Sequence, residues 1–537
     1  MRALLLYPQF PKTYWSFHGV LELVGRQVLL PPLGLITVAA LLPQHWELKL
    51  VDCNSRPVSP EEWAWADLVI ASAMLVQKRD LQHQIRLAKG HQLPVAVGGP
   101  FATSTPDAPE LEQVDFLVLD EGELTIPLFL EALARGDAQG RFSAAGEKPD
   151  ISCSPVPRFD LLERDLYSMM AVQFSRGCPF QCEFCDIIVL YGRKPRTKEP
   201  QQLLEELRVL WELGWRGEVL LVDDNFIGNK RNVKFLLPRL LVWQQSHGFP
   251  FSFITEASVD LADDDGLMQA MANCGFHRVF LGIETPDEAS LQVTQKWQNT
   301  RSSLAEAVDR ITAHGLEVMA GFILGFDGEK PGAGERIVAF VEQTGIPLAM
   351  VGILQALPNT ALWQRLAKER RLLQHPDGFD EGVQTHLLNF IPSRPMPEIA
   401  DEFLQAFSDL YAPIPYLERV YHYSCKLARG RPRTFRAGGR SAGLLRGLLI
   451  ICWRQGVVRE TRWRFWLHLV QIALQHPQVL NDYLWLLMLN EHFIDYQACV
   501  RDQVEQQLQY VAMSSESLQS ESLQSGPLPS ASVAAAR

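Results

Sequence analysis

Residues 175–198 read SRGCPFQCEFCDIIVLYGRKPRTK, and three of the chain's nine cysteines fall within eight residues of it, at Cys178, Cys182 and Cys185. Gly177, Pro179, Gln181 and Glu183 are interleaved with them, which is loop chemistry rather than a buried apolar stripe. The apolar run Ala171–Ser175 stands directly before, so the cysteines are expected on a loop at the C-terminal end of a strand. Five more strand candidates follow: Glu218–Asp223, Phe251–Glu256, Arg278–Glu284, Val318–Phe326 and Ala349–Gln355. Helical patterns such as Gln201–Leu213 and Val233–Gln245 separate them. Six βα units are fewer than a closed barrel needs. The expectation is an open, partial (βα)6 barrel with its site at the C-terminal ends of the strands.

The same alternation runs through the first 135 residues. Ala3–Tyr7, Glu47–Val51, Asp67–Ala71, Val95–Gly98 and Phe116–Leu119 read as buried strands, with helical patterns at Leu33–Leu42 and Val76–Lys89. This predicts a doubly wound parallel sheet, covered by helices on both faces. Gly, Pro, Ser and Asp then crowd residues 134–157, and 136–170 is read as a linker. The barrel is expected over 171–377, a mainly helical domain over 378–513, and a disordered tail over 514–537, where SESLQ occurs twice.

Composition narrows the classes. An apolar fraction of 47% supports sizeable cores, and a net charge of −12 argues against a nucleic-acid binder. No secretory signal is visible, and the apolar run Leu444–Trp453 is broken by Arg446. Scattered cysteines in odd number do not read as a disulfide framework, so a reducing, cytoplasmic setting is expected.

A zinc site would call for a fourth ligand near the triplet, yet the next histidine is His247 and the next cysteine Cys274. A disulfide, buried thiols and redox thiols are the other readings. A [4Fe–4S] cubane is normally held by four thiolates, and a protein supplying three leaves one iron open to bind and activate a substrate.

The pattern C-x3-C-x-aromatic-C after the first strand of a partial barrel resembles the radical S-adenosylmethionine (radical SAM) superfamily. LVDDNFIGN (Leu221–Asn229), FLGIETPD (Phe280–Asp287), GFILGFD (Gly321–Asp327) and LQALPNT (Leu354–Thr360) follow in that family's order. With PPLGLITVAALLP near the N-terminus and VGGP at Val97–Pro100, the chain resembles the cobalamin-binding branch, of which hopanoid C-2 methylases are known members. The resemblance implies three cofactors: a [4Fe–4S] cluster on Cys178, Cys182 and Cys185, S-adenosylmethionine on its open iron, and cobalamin in the first domain.

It also implies roles at the strand ends. Asp223, Asp224 and Asn225 stand where many relatives carry Gly-Gly-Glu for the cofactor's amino group; this chain departs from that motif, and helix capping is the competing reading. Glu256 and Ser258 fall where the family contacts the ribose. Glu284 can accept ribose hydroxyls, or pair with a neighbour such as Arg278. Gly321 and Gly325 can admit the adenine, or serve turns. Arg193, Lys194, Arg196 and Lys198 read mostly as a solvated face, and Tyr191 as a packing residue. Cobalamin-cradle residues are Leu33, Gly34, Ser72, Met74, Gln77, Gly98, Gly99 and Pro100, all at strand ends or the turns that follow. No G-x-G-x-x-G marks a nicotinamide site, and no D-x-H-x-x-G supplies a histidine to cobalt.

The expected function is cobalamin-dependent radical methylation of an unactivated carbon of a small, hydrophobic metabolite, fed by an electron donor such as ferredoxin or flavodoxin. A cobalamin radical cyclase or rearrangement enzyme and a non-catalytic cobalamin and iron–sulfur sensor stay open. Finally, Lys426–Arg464 carries one Lys, ten Arg and one Glu, with Trp453 and Trp463 among them and Phe465 and Trp466 just beyond. Residues 426–466 thus read either as a peripheral contact with an anionic membrane or as a helical region whose arginines pair with acids elsewhere.

Overall fold

The computed structural model describes residues 1–373, 385–431 and 442–524. Ala3, Leu4, Leu5 and Leu6 are apolar on both faces and fully buried, the mark of an inner strand of a parallel sheet. The first domain runs β1 (Arg2–Tyr7), α1 (His18–Leu23), α2 (Leu33–Leu41), β2 (Glu47–Asp52), α3 (Pro60–Trp65), β3 (Leu68–Ser72), α4 (Lys78–Gly90), β4 (Val95–Gly98), α5 (Pro100–Ser104), β5 (Phe116–Val118), α6 (Gly122–Arg135) and β6 (Gly140–Phe142). Its strands pair in parallel in the order β2-β1-β3-β4-β5-β6. The order reverses between β1 and β3, where ligands of such sheets bind above the carboxyl ends.

The second domain runs β7 (Met170–Val172), β8 (Ser175–Arg176), α7 (Ile187–Leu190), β9 (Arg196–Thr197), α8 (Pro200–Glu212), β10 (Gly217–Leu221), α9 (Lys230–Ser246), β11 (Phe251–Ala257), α10 (Asp265–Cys274), β12 (Phe276–Glu284), α11 (Glu288–Val293), α12 (Leu304–Ala313), β13 (Glu317–Leu324), α13 (Ala333–Thr344), β14 (Leu348–Ile353) and α14 (Ala361–Lys368). Six parallel strands, in the order β7-β10-β11-β12-β13-β14, form the open barrel, while β8 and β9 make a small antiparallel pair. Helices follow: α15 (Met396–Leu410), α16 (Pro413–Gly430), α17 (Ala442–Trp453), a π-helical turn at Arg454–Val458, α18 (Arg462–Gln475) and α19 (Leu480–Gln524).

Hydrogen bonds seat this helical region on the barrel. Val318 N donates to Tyr423 Oη at 2.7 Å, and Tyr411 Oη donates to Ala349 O at 2.8 Å. Arg431 joins Asp482 and donates to His277 O and Gly315 O. Tyr14 of the first domain shares a 2.6 Å hydrogen bond with Tyr411.

Three expectations need correction. The span 136–170 is not a bare linker: β6 adds a sixth strand, because the Phe142 ring packs on Phe116 and Phe129, and Ile151, Phe159 and Tyr167 are buried. The strand expected at Ala171–Ser175 divides into β7 and β8, because the Asp223 carboxylate takes the N–H groups of Phe174 and Ser175 that a ladder would use. The tail expected from 514 continues α19 to Gln524, consistent with the helix propensity of its Glu, Leu and Gln; residues 525–537 lie outside the described residues, as does the boundary placed at 377/378.

Candidate functional site

Gly177 opens the cysteine loop at φ +93°, and a Cβ there would stand 2.8 Å from Gly192 O, so glycine is required where the chain doubles back. Asp224 accepts from Gly177 N at 2.7 Å. Asp223 and Asp224 thus brace the strand end and the loop from β10.

Two of the three cysteines meet an amide donor. Asn225 Nδ2 stands 3.9 Å from Cys178 Sγ and donates to Ser258 Oγ at 3.0 Å, and Gln298 Nε2 stands 3.6 Å from Cys182 Sγ. Glu183, between the last two cysteines, is buried and held by Arg365 at 2.9 and 3.2 Å; Arg365 also binds Asp327 at 2.8 Å. Phe184 packs on Phe326. All three cysteines are free thiols, and burial raises the pKa of Cys178 and Cys185, with neighbouring thiols adding to it. Among the described residues no three His, Cys, Asp or Glu side chains converge as they would on one ion. A cubane asks for something else, since each thiolate takes a different iron. Three thiols on one loop, supplied with N–H donors that stabilise thiolate sulfur, fit that group.

The strand ends around the loop are acidic. Burial lifts Asp223 to about 6, and it lifts Asp224 and Glu256 to about 7, with repulsion added from Asp223 and Asp186 on Asp224 and from Asp224, Asp223 and Glu284 on Glu256. Glu256, at the end of β11, is exposed between buried Thr255 and Ala257, with the carboxylates of Asp223, Asp224 and Glu284 acting on it. A cation entering there would relieve the repulsion, which suits the ammonium and sulfonium of S-adenosylmethionine.

Other expected contacts are spoken for. Both Asp223 oxygens accept backbone N–H groups. Ser258 is held between Asn225 and Asp260. Glu284 pairs with Lys296, not with Arg278, which binds Glu317 at 2.7 Å on the neighbouring strand. A Cβ on Gly321 would stand 3.0 Å from the Phe280 ring, and one on Gly325 2.8 Å from Leu388, so side chains of this protein occupy the room these glycines leave. Of the basic run, Lys198 pairs with Glu206 and Arg196 binds Glu121 at 2.8 Å, while Arg193 and Lys194 are exposed.

In the first domain, Leu33 and Gly34 open α2, and a Cβ on Gly34 would meet nothing within 4 Å. Ser72 ends β3 and Met74 beside it is exposed. Gln77 is instead a buried brace, donating to Pro8 O and accepting from Met74 N at 2.8 Å. A Cβ on Gly98 would stand 2.7 Å from Val118 O, and Gly99, at φ +90°, abuts Ser72; both glycines serve close packing of the strand ends. Pro100 then begins α5.

The two carboxyl edges face one another. Helix α5 packs on α7, which follows the cysteine loop, and Asn359 Nδ2 donates to Ser104 O at 2.9 Å. Arg176 binds Glu121 and Glu123 of the first domain at 2.8 Å each. Sequence reasoning missed Lys296, Gln298, Arg365 and Arg176, none of which carries a local motif.

Comparison with known proteins agrees with this arrangement. A B12 binding domain model matches residues 24–130, the radical SAM superfamily model residues 172–341, and a domain of unknown function, DUF4070, residues 360–506. An uncharacterized methyltransferase of Synechocystis sp. is 59% identical over 95% of this chain and 94% of its own. The hopanoid C-2 methylase of Rhodopseudomonas palustris is 34% identical over 92% of this chain and 93% of its own. The structure of OxsB, a cobalamin-dependent S-adenosylmethionine radical enzyme, shares the fold with a TM-score of 0.58 at 15% identity, covering 95% of this chain and 80% of that one. The cofactors are a [4Fe–4S] cluster, S-adenosylmethionine and cobalamin. With a cobalamin domain and a radical SAM barrel turned edge to edge, and two relatives matched nearly end to end, the chain belongs to the cobalamin-binding radical SAM methyltransferase family.

Proposed function

We propose that this enzyme methylates an sp³ or otherwise poorly nucleophilic carbon of a hydrophobic metabolite. The observation that carries the reading is the facing of the two carboxyl edges, with α5 against α7 and Asn359 bonded to Ser104 across them. That facing suits reagents held on opposite walls of one cavity from which water is excluded. The 34% identity with a hopanoid C-2 methylase favours a polycyclic lipid as substrate.

In this reading Cys178, Cys182 and Cys185 hold the cluster, with Asn225 and Gln298 donating toward the sulfurs. Asp224 and Glu256 receive the positive end of S-adenosylmethionine. Leu33, Gly34, Ser72 and Met74 line the cobalamin side, with Gly98, Gly99 and Pro100 shaping the floor. When bound, the cofactors supply hydrogen-atom abstraction and methyl delivery. Electrons come from a donor such as ferredoxin or flavodoxin, in the cytoplasm and in peripheral contact with a membrane.

Mass spectrometry of lipids from a deletion strain names the substrate. Reconstituted enzyme given that substrate and methyl-deuterated S-adenosylmethionine should add one labelled methyl group, with one S-adenosylhomocysteine and one 5′-deoxyadenosine per product. A product of unchanged carbon count would make it a cyclase or rearrangement enzyme, and cofactor binding with no 5′-deoxyadenosine at all would make it a sensor.

A further inference from the structure

Helix α18 has two apolar faces. Phe465 and Ile472 are buried against the protein, whereas Trp463, Trp466, Leu467, Val470 and Leu474 point outward, with Trp463 78% and Leu474 77% exposed. Their spacing of three, four, seven and eleven residues from Trp463 makes one continuous stripe. Trp453, at the end of α17, is 62% exposed, and Val457 and Val458 of the π-helical turn are exposed beside it. Trp466 Nε1 donates to Gly456 O at 2.9 Å, which ties α18 to that turn. A soluble surface rarely leaves so many large apolar side chains together.

The charges within this segment are mostly positive. From Ala442 to Gln475 there are five arginines and a single acid, Glu460, in a chain of net charge −12. Arg454 and Arg459 reach Glu491 and Arg464 reaches Glu418, so the expectation of pairing with distant acids holds for these three. The side chains of Arg454 and Arg464 nevertheless remain about half exposed, and exposed Arg462 makes no ion pair with a described residue.

We propose that the outer face of α17, the π-helical turn and α18 docks on an anionic phospholipid bilayer, which gives the peripheral membrane contact of the reading above its surface. Tryptophan rings and arginine stems suit the headgroup boundary, and the guanidinium groups suit lipid phosphate. Among the described residues no helix is long and apolar enough to cross a membrane, so α18 lies in the interface. A second copy fits less well, because a two-fold contact would bring two copies of a mostly basic segment together.

The test is co-sedimentation of the full chain with extruded vesicles, either equimolar phosphatidylglycerol and phosphatidylcholine or phosphatidylcholine alone. Binding should favour the anionic vesicles about tenfold and weaken in high salt. A Trp463→Ser, Leu474→Ser double variant, altered only at exposed positions and checked for an unchanged melting profile, should bind at least about tenfold more weakly. Arg462→Glu should lower the anionic preference alone. Absence of binding to either vesicle at low salt, or equal binding by the double variant, overturns the proposal. So does a dimer, seen by analytical ultracentrifugation, that the double variant dissolves without any vesicle binding. Binding is read without turnover, so its failure leaves the methylation reading standing, and the converse also holds.

Discussion

Arg176 lies two residues before Cys178 and binds Glu121 of the first domain at 2.8 Å, so one side chain fastens the cobalamin domain to the start of the cluster loop. The contact is nearly dry. Arg176 also binds Glu123, and despite burial, which works against it, this pairing holds Glu123 down at about 2. Arg176→Ala leaves two buried carboxylates short of a partner, a loss of about 3–5 kcal/mol in unfolding experiments. It should also loosen the facing of the two edges, so that 5′-deoxyadenosine formed per methylated product rises. Unchanged stability together with an unchanged ratio would refute the coupling.

Replacing any one of Cys178, Cys182 or Cys185 by Ala should abolish the cluster's visible absorbance and 5′-deoxyadenosine formation. Asn225→Ala and Gln298→Ala should keep four irons but lower the cluster's reduction potential, because N–H donors toward sulfur stabilise the more negative, reduced state. A redox titration followed by electron paramagnetic resonance reads this directly. A triple Ala variant that still binds four irons after anaerobic reconstitution would sink the ligand assignment.

Glu256 links the site to pH. Burial first, then Asp224, Asp223 and Glu284, raise its carboxyl from the ordinary range to about 7. Between the unfolded value near 4 and that folded value, the native state holds a proton the unfolded chain has lost, so this group's contribution to stability declines as pH rises through the window. Binding of a cation runs the other way, since it prefers the carboxylate. Affinity for S-adenosylmethionine should therefore rise from pH 6 to pH 8, by up to about tenfold per unit below the pKa. Glu256→Gln should flatten the profile. A pH-independent dissociation constant in the parent protein would count against Glu256 as a cation acceptor.

Cobalt should bind without a protein imidazole. His91 stacks on Trp63 after the C-terminus of α4, and His45 precedes β2, so both stand at the edge opposite the strand ends. Electron paramagnetic resonance of the Co(II) form should show no nitrogen splitting from an axial protein ligand. Splitting that disappears on changing one histidine, His18 included, would reverse the conclusion.

The barrel was legible because β11, β12 and β13 are long apolar runs punctuated by glycine and acids, and their ends fall within two residues of the expected ones. Strand β6 was not, since three residues between glycine-rich turns have no periodicity of their own and are recruited by the Phe116 and Phe129 rings. At the site, the thiols and strand-end acids are local motifs and stand out. Their partners do not: Gln298 reaches Cys182 from 116 residues away, in a four-residue 3-10 turn with no pattern of its own. For Glu284 the sequence offers ribose hydroxyls or, as the competing reading, a neighbour such as Arg278 on its own strand. Arg278 sits at the other end of that strand and turns to Glu317, while Lys296 returns after α11 to meet Glu284.

That ion pair supports a last prediction. Glu284 sits at φ +66°, a left-handed conformation that a non-glycine residue keeps only when its surroundings hold it. Burial works to lower the Lys296 pKa, but Glu284 and the thiols of Cys182 and Cys185 outweigh it and leave it raised. Lys296 is therefore a buried cation beside the sulfurs of Cys182 and Cys185, and it both anchors the strand end and offsets thiolate charge. Lys296→Met should strand Glu284 as a buried, unpaired carboxylate, costing about 3–5 kcal/mol in unfolding experiments. It should also lower the cluster's reduction potential, whereas Lys296→Arg, which keeps the charge, should restore much of the potential even if packing suffers. Because a Cβ on Gly282 would come within 2.5 Å of Glu284 Oε1 and 2.7 Å of Lys296 Nζ, Gly282→Ala should disturb the same pair without touching a charge. If Lys296→Met and Lys296→Arg shift the potential equally, the lysine acts through packing alone and the electrostatic role is wrong.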